Sequence, residues 1–79
     1  MDWTVYILRC ADDTLYTGIA KDLAARVATH NAGRGAKYTR ARLPVRVVWS
    51  EEAENRSAAS KREYAVKQLS RRAKLGLVG

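Results

Sequence analysis

The stretch that decides the fold covers residues 5–30 and reads VYILRCADDTLYTGIAKDLAARVATH. Apolar side chains alternate with other residues over 3–7 and again over 15–19. This period of two is typical of strands that bury one face. Residues 11–13 form a short polar connection of the length found in three-residue hairpin loops. The sequence therefore predicts an antiparallel hairpin in which the two strands pair directly.

Two tyrosines lie on the same face of this predicted hairpin. A three-residue turn pairs Cys10 with Thr14, and the same register places Tyr6 opposite Gly18. Tyr16 then becomes the diagonal neighbour of Tyr6, at about 7–8 Å, which is within reach of aromatic side chains. Because Gly18 has no side chain, it leaves the space beside Tyr6 open. We expect both phenols to converge on one small volume.

A helix is predicted directly after the hairpin. Asp22 is suited to cap its N-terminus, and Gly33 is suited to end it. Arg26 and His30 are four residues apart, so they share a stripe at the edge of the face that packs on the sheet. Two phenols, a guanidinium and an imidazole can then line a single cleft.

The remainder of the chain predicts one more strand and two more helices. Alternation over 45–49 predicts the third strand, and the glutamates of 51–54 predict an acidic turn after it. Ser57 is suited to cap the second helix, and Ser70 a short final helix. The expected fold class is α+β, a three-stranded antiparallel sheet flanked by helices. The side of the second helix that packs on the sheet is predicted to carry Ala58, Ala65, Val66 and Leu69.

Length and composition indicate a small globular protein. A chain of 79 residues allows one domain, predicted to cover 1–79. Cys10 is the only cysteine, so it cannot form an intramolecular disulfide and is expected to pack in the core of a protein in a reducing cytoplasm. The N-terminus has no basic leader pattern, and no segment approaches the roughly 20 apolar residues of a membrane helix. We therefore expect cytoplasmic localisation and no membrane partner.

The basic residues are segregated along the chain. The net charge is +7, and no acidic residue lies between Asp22 and Glu51. Such segregation is typical of a phosphate-binding surface, because each neutralised phosphate releases condensed counterions. A solvated basic face without a partner is the alternative. Tyr38, in the basic loop of residues 31–44, either packs on a base or sugar or only anchors the loop. The predicted nucleic-acid contacts are Arg34, Lys37, Tyr38, Arg40, Arg42 and Lys67.

The order and spacing of these motifs resemble the GIY-YIG nuclease superfamily, in particular its small stand-alone bacterial branch. The resemblance covers nearly the whole chain. The features that carry it are VYI at 5–7, YTG at 16–18, Arg26 with His30, GAKYTR at 35–40, and the helical run SKREYAVKQLSRRAK at 60–74.

The resemblance implies a metal-dependent endonuclease that hydrolyses phosphodiester bonds in DNA, with RNA as the second choice. It assigns Tyr6 as the general base or water-positioning phenol and Tyr16 as the group that orients water or phosphate. Arg26 would hold the scissile phosphate, where a planar guanidinium suits paired oxygens. His30 would act as hydrogen-bond partner or proton relay, and Glu63 would bind a single divalent cation, Mg²⁺ or Mn²⁺.

Some residues depart from the family pattern and leave alternatives open. Val5 replaces the glycine of GIY, Thr17 replaces the isoleucine of YIG, and no asparagine follows Asn55. Glu63 could instead pair with Lys67 at i+4. The alternative functions are a non-catalytic nucleic-acid-binding module and a domain that binds an acidic protein. A nuclease that takes its specificity from a protein partner is a further reading.

Overall fold

The computed structural model describes residues 3–78, so Met1, Asp2 and Gly79 of the predicted domain lie outside the described residues. The three strands form one sheet in the order β2, β1, β3, and both pairings are antiparallel. The predicted α+β fold with a three-stranded antiparallel sheet is confirmed. The elements are β1 (Trp3–Arg9), β2 (Leu15–Ala20), α1 (Leu23–Asn31), α2 (Lys37–Arg40), β3 (Arg46–Ala53), α3 (Arg56–Lys67) and α4 (Arg71–Val78).

The hairpin of β1 and β2 has the predicted register. The backbone N–H of Cys10 donates to the carbonyl oxygen of Thr14 at 2.9 Å, which closes the three-residue turn. Tyr6 pairs with Gly18, and Tyr16 lies two positions away on β2. The two tyrosines are therefore diagonal neighbours on one face, as the alternation predicted.

The central strand β1 is buried on both faces. Val5 and Ile7 alternate with Tyr6 and Leu8, and all four are at most 1% exposed. Helix α3 packs against β1 and β2 and contributes buried residues of its own. Cys10 is buried in the core, as predicted. One hydrophobic cluster comprises Tyr6, Leu8, Cys10, Ala20 and Val45, with Tyr16, Leu23, Val27 and Leu43 packed against it.

Helix α1 begins and ends where the sequence predicted. The Asp22 side chain accepts a hydrogen bond from the backbone N–H of Ala25 at 3.0 Å. Gly33 follows the C-terminal cap with φ of +79°, a left-handed conformation that glycine adopts without strain. These two local signals fix the length of the helix that carries Arg26 and His30.

The predicted acidic turn is wrong, because Glu51 and Glu52 belong to β3. Both pair with β1, and β3 is an edge strand whose side chains can remain solvated. Glu51 also forms an ion pair with Arg62 of α3 at 3.1 Å. The Arg62 guanidinium lies 5.7 Å from the centroid of the Trp49 ring. The Trp49 ring and the Glu51 carboxylate together accommodate the half-buried side chain of Arg62.

A β-bulge interrupts the predicted alternation of the third strand. Ile7 pairs with Trp49 and Leu8 with Val47, so Val48 is the extra residue. Because Ile7 and Leu8 face opposite sides of the sheet, Trp49 and Val47 do so too. Val47 is 37% exposed. The alternation that predicted a strand over 45–49 therefore breaks at the bulge.

The buried side of α3 is rotated from the predicted one. Ala59 and Val66 are fully buried, whereas Ala58 and Ala65 are exposed and Leu69 is half-buried. Val66 thus confirms the prediction in part, and the two alanines contradict it. Alanine is small enough to be accepted on either side of a helix, so its position in the sequence is a weak guide to the packing face.

The N-terminal cap of α3 is Asn55 and not the predicted Ser57. The Asn55 side chain accepts a hydrogen bond from the backbone N–H of Ala58 at 2.8 Å, and Ser57 lies within the helix. The cap predicted for the final helix is confirmed, since Ser70 Oγ accepts from the backbone N–H of Ala73 at 3.1 Å.

The basic loop of residues 31–44 contains a short helix that the sequence did not predict, α2 (Lys37–Arg40). The Asn31 side-chain amide donates to the carbonyl oxygen of Val45 at 3.1 Å, and its oxygen accepts from the Val45 N–H at 2.8 Å. This pair of bonds ties the end of the loop to α1. Thr39 of α2 is fully buried, so the loop is anchored at two points.

Replacing Asn55 with alanine should remove the cap of α3 and lower the free energy of unfolding by about 1 kcal/mol. For a domain of this size, that change corresponds to a Tm lower by roughly 4–8 °C. Thermal unfolding measures it. Ser57→Ala is the matched control and should leave the free energy of unfolding within about 0.5 kcal/mol of wild type. A larger loss for Ser57→Ala than for Asn55→Ala would contradict the cap assignment.

Candidate active site

Three aromatic side chains meet where the hairpin contacts α1. The Tyr6 hydroxyl lies 3.2 Å from Nε2 of His30. The Tyr16 ring packs edge-on against the His30 ring, with centroids 5.5 Å apart. Both Tyr6 and His30 are 1% exposed. The two strands and the first helix therefore bring together three of the five residues predicted for catalysis.

The other two predicted residues, Arg26 and Glu63, act electrostatically on the Tyr6 hydroxyl. Burial, and then the neighbouring Tyr16, raise the pKa of Tyr6, which lies at about 12. The Arg26 guanidinium acts in the opposite direction and lowers this pKa, and the Glu63 carboxylate raises it. Arg26 acts through its charge and a side-chain hydrogen bond and Glu63 through its charge, so both belong to the electrostatic surroundings of the Tyr6 hydroxyl.

His30 is held in one tautomer by Thr39. The Thr39 hydroxyl donates its proton to the carbonyl oxygen of Ala36 at 2.9 Å. It is then suited to accept from Nδ1 of His30, which lies 2.9 Å away, and this pairing favours the tautomer with the imidazole proton on Nδ1. In the neutral ring Nε2 is unprotonated and accepts from the Tyr6 hydroxyl. The hydrogen bonds thus run in one direction, from Tyr6 through His30 and Thr39 to Ala36.

Two glycines allow the rings to lie this close to the backbone. A Cβ atom on Gly18 would lie 2.6 Å from the Tyr6 hydroxyl oxygen, and one on Gly35 would lie 2.9 Å from Cα of His30. Sequence reasoning gave Gly18 its role but missed Gly35 and Thr39. Both belong to the GAKYTR run, which supported only the family resemblance.

Glu63 lies on α3 and has the i+4 partner that the alternative reading predicted. Nζ of Lys67 is 3.2 Å from a carboxylate oxygen of Glu63, whose side chain is 23% exposed. Within residues 3–78, no group of three or more His, Cys, Asp and Glu side chains could hold a metal ion. A lone, partly exposed carboxylate fits Mg²⁺, which keeps several waters and takes few protein ligands.

Tyr38 is anchored in a stack of side chains. Its ring stacks on Tyr16 with centroids 5.9 Å apart, and the Arg42 guanidinium lies 4.1 Å from its centroid. Arg42 also forms an ion pair with Asp12 at 3.1 Å. The structure therefore links Tyr38 to the active-site rings, in agreement with the anchoring role among the two predicted for it.

The other predicted nucleic-acid contacts are solvent-facing. Arg34, Lys37 and Arg40 are exposed, and none of them forms an ion pair with another described residue. Charges without a protein partner are available to phosphates. The basic loop and α2 thus present three exposed cations, and α2 also carries Thr39, the buried partner of His30.

Cavity size alone does not identify the site. A cavity of about 310 Å³ lies beside Arg9, Cys10 and Arg46 and contains none of the predicted catalytic residues. A cavity of about 300 Å³ borders Arg26 at the start of α1. The convergence of aromatic, cationic and acidic side chains around Tyr6 is the more specific observation.

The family model described as the GIY-YIG catalytic domain matches residues 2–75. The chain therefore belongs to the GIY-YIG family. This family is part of a nuclease superfamily whose members typically depend on divalent metal ions. No helix within residues 3–78 has both the length and the apolarity needed to cross a membrane.

Relatives from several bacteria share this domain. A UPF0213 protein of Desulfotalea psychrophila is 56% identical over 77 residues, which are 96% of this chain and 70% of the relative. A UPF0213 protein of Staphylococcus aureus is 54% identical over 74 residues, covering 94% of this chain and 90% of the relative. These UPF0213 relatives are small members of the GIY-YIG family.

Solved structures agree with the fold. The solution NMR structure of a UPF0213 protein from Bacillus halodurans has a TM-score of 0.63 and 46% identity, and covers 99% of this chain and 83% of that one. A solution NMR structure of an E. faecalis protein has a TM-score of 0.61 and 41% identity over 90% of this chain and 76% of that one. The sheet and its flanking helices are therefore those of the family.

His30 should titrate below its usual range in the folded protein. Burial, and then the charge of Arg26, lower the pKa of His30 from 6.5. Its ring is the only imidazole in the chain, so an NMR titration reads this pKa directly. Arg26→Gln should raise the pKa of His30 part of the way to 6.5, because burial remains. A wild-type pKa above 6.5 would contradict this environment.

The same shift gives stability a defined pH dependence. His30 binds its proton more tightly in the unfolded state than in the folded state, because folding lowers its pKa. The stability that comes from keeping His30 neutral is therefore complete above pH 6.5 and is lost as the pH falls through the folded pKa. Denaturant unfolding between pH 8 and pH 5 measures it. His30→Gln should remove this part of the dependence, and an unchanged pH profile would show that it has another origin.

Gly18→Ala should force the Tyr6 hydroxyl out of its position and destabilise the fold by about 1–3 kcal/mol, as overpacking does. Gly76→Ala is the matched control, since a Cβ there meets nothing within 4 Å. It lies inside α4 and should stabilise the protein by about 0.5–1 kcal/mol. Urea unfolding distinguishes the two. Equal effects of both substitutions would refute the close approach at Gly18.

Proposed function

We propose that this protein is a metal-dependent endonuclease that hydrolyses phosphodiester bonds in DNA, with RNA as the second choice. The observation that carries the proposal is the directed hydrogen-bond chain from Tyr6 to His30 and Thr39, next to Arg26 and Glu63. Phosphodiester hydrolysis needs a base for water, a cation for the phosphate and stabilisation of the transition-state charge. Each of these three needs has a candidate side chain around Tyr6.

Tyr6 serves as the general base without becoming a tyrosinate. With a pKa raised to about 12, the phenolate would be very scarce at neutral pH. The hydrogen-bond chain avoids this state, because the Tyr6 oxygen takes a proton from water while its own proton moves to Nε2 of His30. The lowered pKa of His30 keeps this nitrogen free to accept at neutral pH.

Arg26 binds the scissile phosphate next to this base. Its charge lowers the pKa of both Tyr6 and His30, so it faces the two groups that move the proton. A guanidinium can hold two phosphate oxygens at once and stabilise the charge that develops on them. Tyr16, packed against His30, orients the attacking water or the phosphate.

Glu63 would hold the divalent cation through its single carboxylate, and Mg²⁺ or Mn²⁺ bound there would supply positive charge to the phosphate oxygens. The carboxylate is partly exposed, and its partner Lys67 is a solvent-facing cation. An exposed i+4 pair contributes only about 0.3–0.5 kcal/mol, so releasing Lys67 costs little. Lys67 then remains near the phosphate as a further positive charge.

The exposed cations of the basic loop bind the flanking nucleic acid, and a protein partner could supply specificity. We place this activity in the cytoplasm, where the buried, free Cys10 stays reduced. The ion pair of Glu63 with Lys67 favours a second candidate, a nucleic-acid-binding module without catalysis, because the pair already satisfies one carboxylate oxygen. Mutation of Glu63 separates the two functions.

Glu63→Gln should leave nucleic-acid binding unchanged or slightly tighter, because it removes a negative charge from a basic surface. The cleavage rate should fall strongly, because loss of the proposed metal ligand removes several kcal/mol of transition-state stabilisation. Cleavage of branched and linear DNA with Mg²⁺ or Mn²⁺, beside binding in EDTA, measures both. Cleavage by the variant at the wild-type rate would reject the role of Glu63.

Tyr6→Phe is the companion variant, because it keeps the ring and removes only the hydroxyl. Loss of a general base should slow cleavage by roughly 10²–10⁴-fold while binding persists. Tyr64→Phe is the matched control, since Tyr64 is 68% exposed on α3 and should cleave as wild type does. If the wild-type protein binds the whole substrate panel but cleaves none of it, the binding module replaces the nuclease.

A further inference from the structure

A further cavity lies beside the rings of the candidate active site, between β2 and the two C-terminal helices. We call it the Thr17 cavity. Its volume is about 230 Å³, and it is lined by Leu15, Tyr16, Thr17, Tyr38, Lys67 and Lys74. A neighbouring cavity of about 200 Å³ shares Leu15, Tyr38 and Lys74 with it and extends to Arg71. Both volumes are below the range of drug-sized ligands and suit a smaller group.

Thr17 provides an unexplained polar group in this cavity. Thr17 is 3% exposed, and its hydroxyl has no hydrogen-bond partner among the described residues. Buried hydroxyls are nearly always paired, because an unpaired one costs about 1–3 kcal/mol. A ligand in the cavity that accepts hydrogen bonds would give the hydroxyl of Thr17 its missing partner.

The charges around the cavity select the kind of ligand. Lys67 and Lys74 line it, and no acidic residue does. Lys74 forms no ion pair with another described residue, while Lys67 reaches Glu63 at 3.2 Å. Tyr16 belongs to both the cavity and the catalytic ring cluster. A small anion with several acceptor oxygens, next to the scissile bond, fits these constraints.

We propose that the Thr17 cavity binds a second phosphate of the substrate strand, adjacent to the scissile phosphate. Lys67 and Lys74 supply the charge, and the Thr17 hydroxyl donates a hydrogen bond. This inference rests on the proposed nuclease function, because it places the strand that is cut. The strand then continues over Arg71, whose guanidinium is fixed by donating to the Asp13 carbonyl oxygen at 2.9 Å.

Binding of a 12-nucleotide single strand in EDTA tests the cavity without any cleavage. Lys74→Ala should reduce the slope of log K against log salt by about 0.7, and so weaken binding about fivefold more at 0.1 M than at 1 M salt. Arg72→Ala is the matched control, since Arg72 lies on the same helix and lines neither cavity. Equal slopes for the two variants would overturn the proposal.

Other outcomes separate this proposal from the nuclease function. If the wild-type protein cleaves but Lys74→Ala and Arg72→Ala have equal slopes of log K against log salt, only the cavity proposal is rejected and the nuclease function stands. Failure of the wild-type protein to bind the strand rejects both. Inorganic phosphate that binds the wild type and is lost in Lys74→Ala, while the oligonucleotide slope stays unchanged, would identify a site for free anions and overturn the role in the strand.

The Thr17 hydroxyl offers a test that a purely structural role would fail. Thr17→Val removes the unpaired hydroxyl and should raise Tm by about 4–8 °C, yet weaken oligonucleotide binding about tenfold. Thr17→Ser keeps the hydroxyl and should retain affinity despite its lost methyl group. A Thr17→Val variant that binds like wild type would show that the hydroxyl is unpaired for no functional reason, and the phosphate site would be withdrawn.

Discussion

The buried hydrogen bond between the Tyr6 hydroxyl and Nε2 of His30 constrains most of the molecule. It joins the central strand to the first helix inside the core, where an unpaired partner would be costly. The rings can meet only if the opposing backbone carries no side chain, so glycine is required at Gly18 and Gly35. Thr39 completes the arrangement by fixing the ring from the other side. A single interaction thus places demands on the hairpin, α1 and α2.

Electrostatics favour a neutral resting state of this pair in a strongly basic protein. Burial raises the pKa of Tyr6 and lowers the pKa of His30, so both groups stay uncharged near neutral pH. Arg26 acts on both in the same direction, towards proton loss. A substrate phosphate would reverse this balance, because its negative charge compensates the imidazolium that forms as His30 accepts a proton. Proton transfer and phosphate binding are therefore coupled in the proposed mechanism.

The sequence predicted those parts of the fold that depend on local signals. The hairpin register followed from the alternation and turn length, and the bounds of α1 followed from Asp22 and Gly33. The sequence did not predict the features that depend on pairing between strands of the sheet. The bulge in β3 and the inclusion of Glu51 in that strand depend on contacts with β1.

The site shows the same division between local and distant contacts. The relation of Tyr6 to Tyr16 followed from strand geometry, whereas Thr39 acts through the fold of a loop and is not recognisable from its neighbours in sequence. The other four residues expected in the cleft each contact Tyr6 or act on its pKa. The hydrogen-bond direction behind the proposed proton route, however, required the positions of Thr39 and Ala36.

The tautomer of His30 tests this proton route most directly. It is the only histidine in the chain, so a long-range ¹H–¹⁵N NMR spectrum above its pKa reports one ring without ambiguity. The route requires the proton on Nδ1, donated to Thr39, with Nε2 free to accept from Tyr6. A ring protonated on Nε2 would instead donate to Tyr6, and the proposed transfer from Tyr6 to His30 would be wrong.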